Sequence, residues 1–198
     1  MVSTFFQLGF HHLTEAGAWD HQLFLATLAL AYQPVLWRRW VLLATVFAIG
    51  HTLALVGATV GVLPVGMTGV EPGIALSIVA LALVDLLRSW RDPFQLDKRW
   101  SLALVPLVLV FGLIHGMGFS GAFVPIASAG LDAGGLTLAL LSFTLGVEAG
   151  QLLILAGMWA VSYLVFDLWQ WRPVLLRRLL LVAVALTGLA QFISLVSS

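Results

Sequence analysis

The chain has 198 residues, 61% hydrophobic and only 9% charged, with a mean hydropathy of +1.07. Soluble domains carry about a quarter charged residues, so this is the composition of an integral membrane protein, with room at about 20 residues per span for about six or seven helices and no separate soluble domain. The formal net charge of zero argues against nucleic acid as a partner, and the absence of cysteine excludes disulfides, thiolate metal sites and thiol nucleophiles.

In chain order, Ser3 or Thr4 can cap a short helix over about 4–15, with Phe6, Gly9, Phe10 and Leu13 on one face and Gln7, His11 and Thr14 on another. That pattern predicts an interfacial helix, too short to span. No Lys or Arg precedes Arg38, so this segment lacks the positive region of a secretory signal and is expected to be retained. Apolar runs then predict spans over about 19–32, 40–61, 72–87, 102–119, 136–163 and 174–196, in a single all-α transmembrane domain. Pro34 ends the first span, and Pro72 suits the first turn of the third. The fifth is longer than a bilayer needs and is expected to tilt or project.

The 9 basic residues fall in three places: Arg38 and Arg39; Arg88, Arg91, Lys98 and Arg99; Arg172, Arg177 and Arg178. By the positive-inside rule those regions are cytoplasmic, which predicts both termini outside in a cytoplasmic (inner) membrane. Trp37, Trp40, Trp90, Trp100, Trp169 and Trp171 crowd the same regions, as an interfacial aromatic belt does.

This topology sorts the polar groups. His11, His12, Glu15, Asp20, His21, Glu71 and Asp132 belong to the outer side. Counted from Trp40 at about 1.5 Å per residue, His51 lies roughly 16 Å up its helix; counted from Trp100, His115 lies about 22 Å up, and Glu148 is roughly 20 Å deep from the outside. A charged side chain at a helix centre is unfavourable by about 2.5–3.5 kcal/mol on insertion scales, so such groups should face one another. Thr144, Glu148 and Gln151 share one face of their helix, and the glycines at 146 and 150, 112 and 116, and 57 and 61 allow close helix contact. Each has a plainer reading: His51 and His115 as hydrogen-bonded packing residues, His11 as a solvated interfacial group, Asp20 as a helix cap or as the group orienting a histidine ring, Glu71 as an acidic residue suited to a helix N-terminus, Met67 and Met117 as packing. Together, imidazole and carboxylate are the usual nitrogen and oxygen ligands of zinc, nickel or iron.

Five segments, HHLTEAGAWDHQLFL from His11, FAIGHTLAL from Phe47, EPGIALSI from Glu71, FGLIHGMGFS from Phe111 and FTLGVEAGQ from Phe143, resemble in order those of the HupE/UreJ proteins, in their branch of small stand-alone membrane proteins. The resemblance covers nearly the whole chain. It implies a polytopic helix bundle and a nickel or cobalt permease, with His12, Asp20, His21, His51, His115 and Glu148 as metal residues. His11, Glu15, Glu71, Thr144 and Gln151 are the candidates for supporting them.

The expected protein is therefore a membrane metal-binding protein, favoured as a divalent transition-metal permease for nickel, cobalt or zinc. The alternatives are an intramembrane metalloenzyme, in which a histidine-bound metal acidifies water, and a metal-containing accessory subunit of a membrane complex. Its expected partners are the lipid bilayer and the metal ion, with a second copy of the chain or a membrane complex as further candidates.

Overall fold

The computed structural model describes residues 1–32, 34–66, 69–92, 98–168 and 173–197. Seven α-helices follow one another among these residues: α1 (Val2–Thr14), α2 (Trp19–Ala31), α3 (Trp37–Thr59), α4 (Val70–Arg91), α5 (Lys98–Ser128), α6 (Ala133–Ser162) and α7 (Pro173–Ser197). Met67, Trp169, Trp171 and Arg172 lie outside the described residues, as do the side chains of Lys98, Arg99 and Trp100.

The protein is a multi-pass, all-α membrane bundle. Five segments are long and apolar enough to cross a membrane: Pro34–Thr59, Val70–Arg91, Ala103–Ser128, Ala133–Val165 and Val174–Ser197. The apolar run that predicts a first span forms only the 13 residues of α2, about 20 Å of helix against a hydrocarbon core of about 30 Å. α5 continues well past the expected end near Phe119, because the glycines at 112 and 116 are packing positions rather than breaks. A side chain at Gly112 would strike the Phe47 carbonyl, and one at Gly116 the His51 carbonyl and Ala54. The register of these contacts makes α3 and α5 parallel neighbours with backbones nearly touching.

α1 departs from the expected surface helix. It is docked lengthwise on α6, where a Cβ at Gly146 would meet the backbone of Phe6 and Phe10, and one at Gly9 the backbone of Phe143 and Val147. Its amphipathic pattern suggested an interfacial position; three small residues instead allow helix-on-helix contact that buries Phe5, Gly9 and Leu13. Further along α6, Leu23, Ala26 and Leu30 of α2 face Ile154, Met158 and Val161 across an apolar groove. The Trp159 indole then donates to the Pro34 carbonyl at 3.1 Å. α1 and α2 therefore run end to end beside α6, in its direction, as two half-helices of one broken element.

The break lies at residues 15–18 and is closed locally. The Glu15 amide donates to the His11 carbonyl at 2.9 Å, and the Glu15 carbonyl accepts from the Ala18 amide at 3.1 Å and from the Gln22 side chain at 3.0 Å. Gly130, with φ at 81°, ends α5, and Asp132 caps α6 through a 2.7 Å bond from the Gly135 amide. α7 packs along α4, with Gly188 against Ala75, Ile78 and Val79.

Candidate metal centre

Four histidines from four helices converge at the break. His12 sits in the last turn of α1, His21 in the first turn of α2, His51 midway along α3 and His115 on α5. Ring centroids are 4.6 Å apart for His12 and His21, 5.6 Å for His12 and His51, 6.1 Å for His21 and His51 and 5.3 Å for His21 and His115. His12, His21 and His51 each present a ring nitrogen, all within 4.8 Å of one another.

Hydrogen bonding prepares two of the rings. His21 Nδ1 lies 2.9 Å from Asp20 Oδ1, which also accepts from the His21 amide at 2.8 Å. His115 Nδ1 lies 2.8 Å from the Phe111 carbonyl. A carbonyl oxygen only accepts, so His115 carries its proton on Nδ1 and leaves Nε2 as a bare lone pair; the Asp20 carboxylate does the same for His21. Nε2 of His12, His21 and His115 and both nitrogens of His51 are buried without any hydrogen-bond partner. Buried polar atoms are seldom left unsatisfied. Five orphaned nitrogens in one cluster form a donor set suited to a metal that favours imidazole, and His115 is placed beside His21 to complete it.

The backbone favours a cation here as well. α1 ends at the site, and the C-terminus of a helix carries partial negative charge; Asp20, in the first turn of α2, balances the positive end of that half-helix. An apolar shell surrounds the cluster. The Phe119 ring lies 3.9 Å from the His12 ring, Phe143 stacks on His51 at 6.0 Å, and Phe47 meets His115 edge-on at 4.9 Å.

The remaining candidates lie elsewhere. Glu148 is absent from the cluster: its Oε1 accepts from the Thr45 hydroxyl at 2.6 Å. With its amide nitrogen turned toward acceptors, Gln151 donates to Glu148 Oε2 at 3.1 Å and to the Ala44 carbonyl at 3.3 Å. Thr144 and Thr52 share a 2.8 Å bond, so Glu148, Gln151 and Thr144 belong to a polar seam between α3 and α6. Gly146 turns toward α1, and two residues, or about 200° of helix, carry Glu148 to the other side. Asp20 stays at the edge of the cluster, hydrogen-bonded to His21. His11 is exposed beside Phe10, Glu15 contributes its backbone carbonyl to the break, and Glu71 is exposed in the first turn of α4. Sequence reasoning did not find the aromatic shell or Thr45; regularly spaced phenylalanines look like ordinary core, and a threonine in an apolar helix carries no signal of its partner.

Residues 1–195 match the family described as HupE / UreJ protein. The chain belongs to the HupE/UreJ family. No curated protein and no solved structure gives a significant match. For this HupE/UreJ protein the family match and the histidine cluster together identify a membrane metal-binding protein.

Proposed function

We propose that the protein is a permease for a divalent transition metal of the nickel, cobalt and zinc group, with its cargo held by His12, His21, His51 and His115 at the break between α1 and α2. The observation that carries this reading is the set of buried, unpartnered imidazole nitrogens contributed by four separate helices. A structural site needs no such assembly at a helix break, whereas transporters bind their ions where half-helices end near mid-membrane. Asp20 orients His21. Neutral imidazoles bind the ion, and their protonation favours its release.

In this reading the broken pair α1–α2 is the first crossing and the five long helices complete six. The basic ends of α3, α4 and α7 face the cytoplasm by the positive-inside rule, and both termini lie outside. A second reading, the intramembrane metalloenzyme, draws on the apolar groove of about 600 Å³ between α2, α6 and α7, which suits a lipid chain. No histidine lines that groove, so transport is the better account.

The test is metal analysis of the purified protein beside His51→Ala and His115→Ala, followed by uptake of nickel, cobalt and zinc into liposomes containing it. Saturable uptake abolished by both substitutions is the expected result. Tightly bound metal that both substitutions remove, with no flux in any form, would replace the permease with a catalytic or structural site.

A further inference from the structure

We infer that the histidine cluster is a water-excluding, all-nitrogen, four-coordinate site that takes zinc and cobalt in preference to nickel, and that Phe119 is the residue that sets this choice. The inference rests on the permease reading, whose cargo it narrows. Phenyl rings meet every imidazole. Phe119 lies 3.9 Å from the His12 ring and 6.3 Å from the His51 ring, and Phe143 lies 6.0 Å from His51 and 6.1 Å from His12. Phe47 meets His21 edge-on at 6.0 Å and His115 edge-on at 4.9 Å, and Phe24 is 6.0 Å from His115. Phe24, Phe47 and Phe143 are fully buried, whereas Phe119 is partly exposed and so stands at the boundary of the shell. Phe119 follows His115 by four residues on α5, about 400° of helix, so one face of α5 delivers both an imidazole and the ring that covers His12.

The donor set is nitrogen only. Among the described residues, the groups close enough to share an ion are His12, His21 and His51, and the buried, unpartnered Nε2 of His115 supplies the fourth donor beside His21. Asp20 is engaged with the other nitrogen of the His21 ring, and Glu148 with Thr45. The shell then limits the coordination number. A buried water needs about 2–4 polar partners, and a water bound to an ion here would turn its hydrogens toward phenyl rings, leaving them unsatisfied at a cost. Ions that complete their coordination with water or other oxygen ligands, such as magnesium, calcium and manganese, are disfavoured. Zinc has no geometric preference of its own and is at home with four ligands. Nickel favours tetragonal arrangements, yet in raw affinity for nitrogen donors it exceeds cobalt. A site that prefers cobalt to nickel therefore shows the hand of imposed geometry.

Cobalt reports that geometry directly, because its visible absorption is intense with four ligands and weak with six. The full-length protein in detergent is stripped of metal and loaded with cobalt, and the affinities for zinc, cobalt and nickel are measured by competition with a chelator. The parent should show the intense spectrum and bind cobalt several-fold more tightly than nickel. Phe119→Leu, which stays apolar, should keep both properties. Phe119→Asn, which offers water both space and a partner, should weaken the cobalt bands and raise nickel several-fold relative to cobalt. A weak, six-coordinate spectrum in the parent would overturn the inference, and so would nickel binding more tightly than cobalt. Equal changes in both variants, with a lowered melting temperature, would reduce Phe119 to packing and remove its part in the choice. Uptake into liposomes separates this inference from the reading beneath it. A four-coordinate spectrum in a protein that moves no metal upholds the site and ends the permease; saturable uptake by a protein whose cobalt is six-coordinate does the reverse.

Discussion

His12 and His21 are nine residues apart, which on an unbroken helix is about 900°, or opposite faces some 13 Å apart along the axis. Their rings instead lie 4.6 Å apart, because the chain leaves its helix at Glu15 and starts another at Trp19. Asp20 serves the site through the His21 ring, so Asp20→Asn should weaken zinc binding by about 10–100-fold, the usual effect of losing a ligand's hydrogen-bonding partner. A competition titration against a chelator measures it, and an unchanged affinity would deny Asp20 that role. Acidification should act in the same direction. Metal and proton compete for the same lone pairs, so occupancy should fall on acidification. Zinc content after equilibration at a series of pH values is the readout; a flat profile would point to carboxylate ligation instead.

At the scale of helices, glycine decides what touches what. A Cβ at Gly146 would collide with backbone of α1 that cannot rotate away, while one at Gly157 meets nothing within 4 Å. Gly146→Val should cost about 1–3 kcal/mol of overpacking and lift α1 from α6, taking His12 with it. Gly157→Ala should be neutral or stabilise by up to about 1 kcal/mol. Thermal unfolding and zinc content of the two variants distinguish packing from general intolerance; equal losses would place α1 wrongly. The same glycines show what was legible beforehand. Hydropathy revealed the long helices, because a bilayer demands a nearly unbroken apolar run. It could not reveal that α1 docks lengthwise on α6, since 13 residues fall short of the span rule and the amphipathic pattern points to a surface instead. His51 and His115 were found by their depth, and depth drew in Glu148 as well. Depth says nothing of azimuth, and Glu148 lies on the α3–α6 seam with Thr45 as its partner.

For the molecule as a whole, the histidine centre belongs to no single helix pair. α1 and α2 each supply one ring, α3 and α5 the other two, and α6 supplies the surface on which α1 rests together with the Phe143 ring against His51. The groove beside α2 and the buried charges at its end lie where α4, α6 and α7 surround that half-helix, so the half of the bundle without histidines still holds α2 in place. Order of synthesis follows from this. α1 docks on α6, whose glycines are made more than a hundred residues later. Until then α1, and His12 with it, lacks that support. A chain stopped at Gly130, which keeps every histidine, should bind zinc far more weakly than the full protein, and adding α6–α7 as a separate fragment should restore binding. By sequence order the histidine cluster gains its α6 support only after every imidazole has been made.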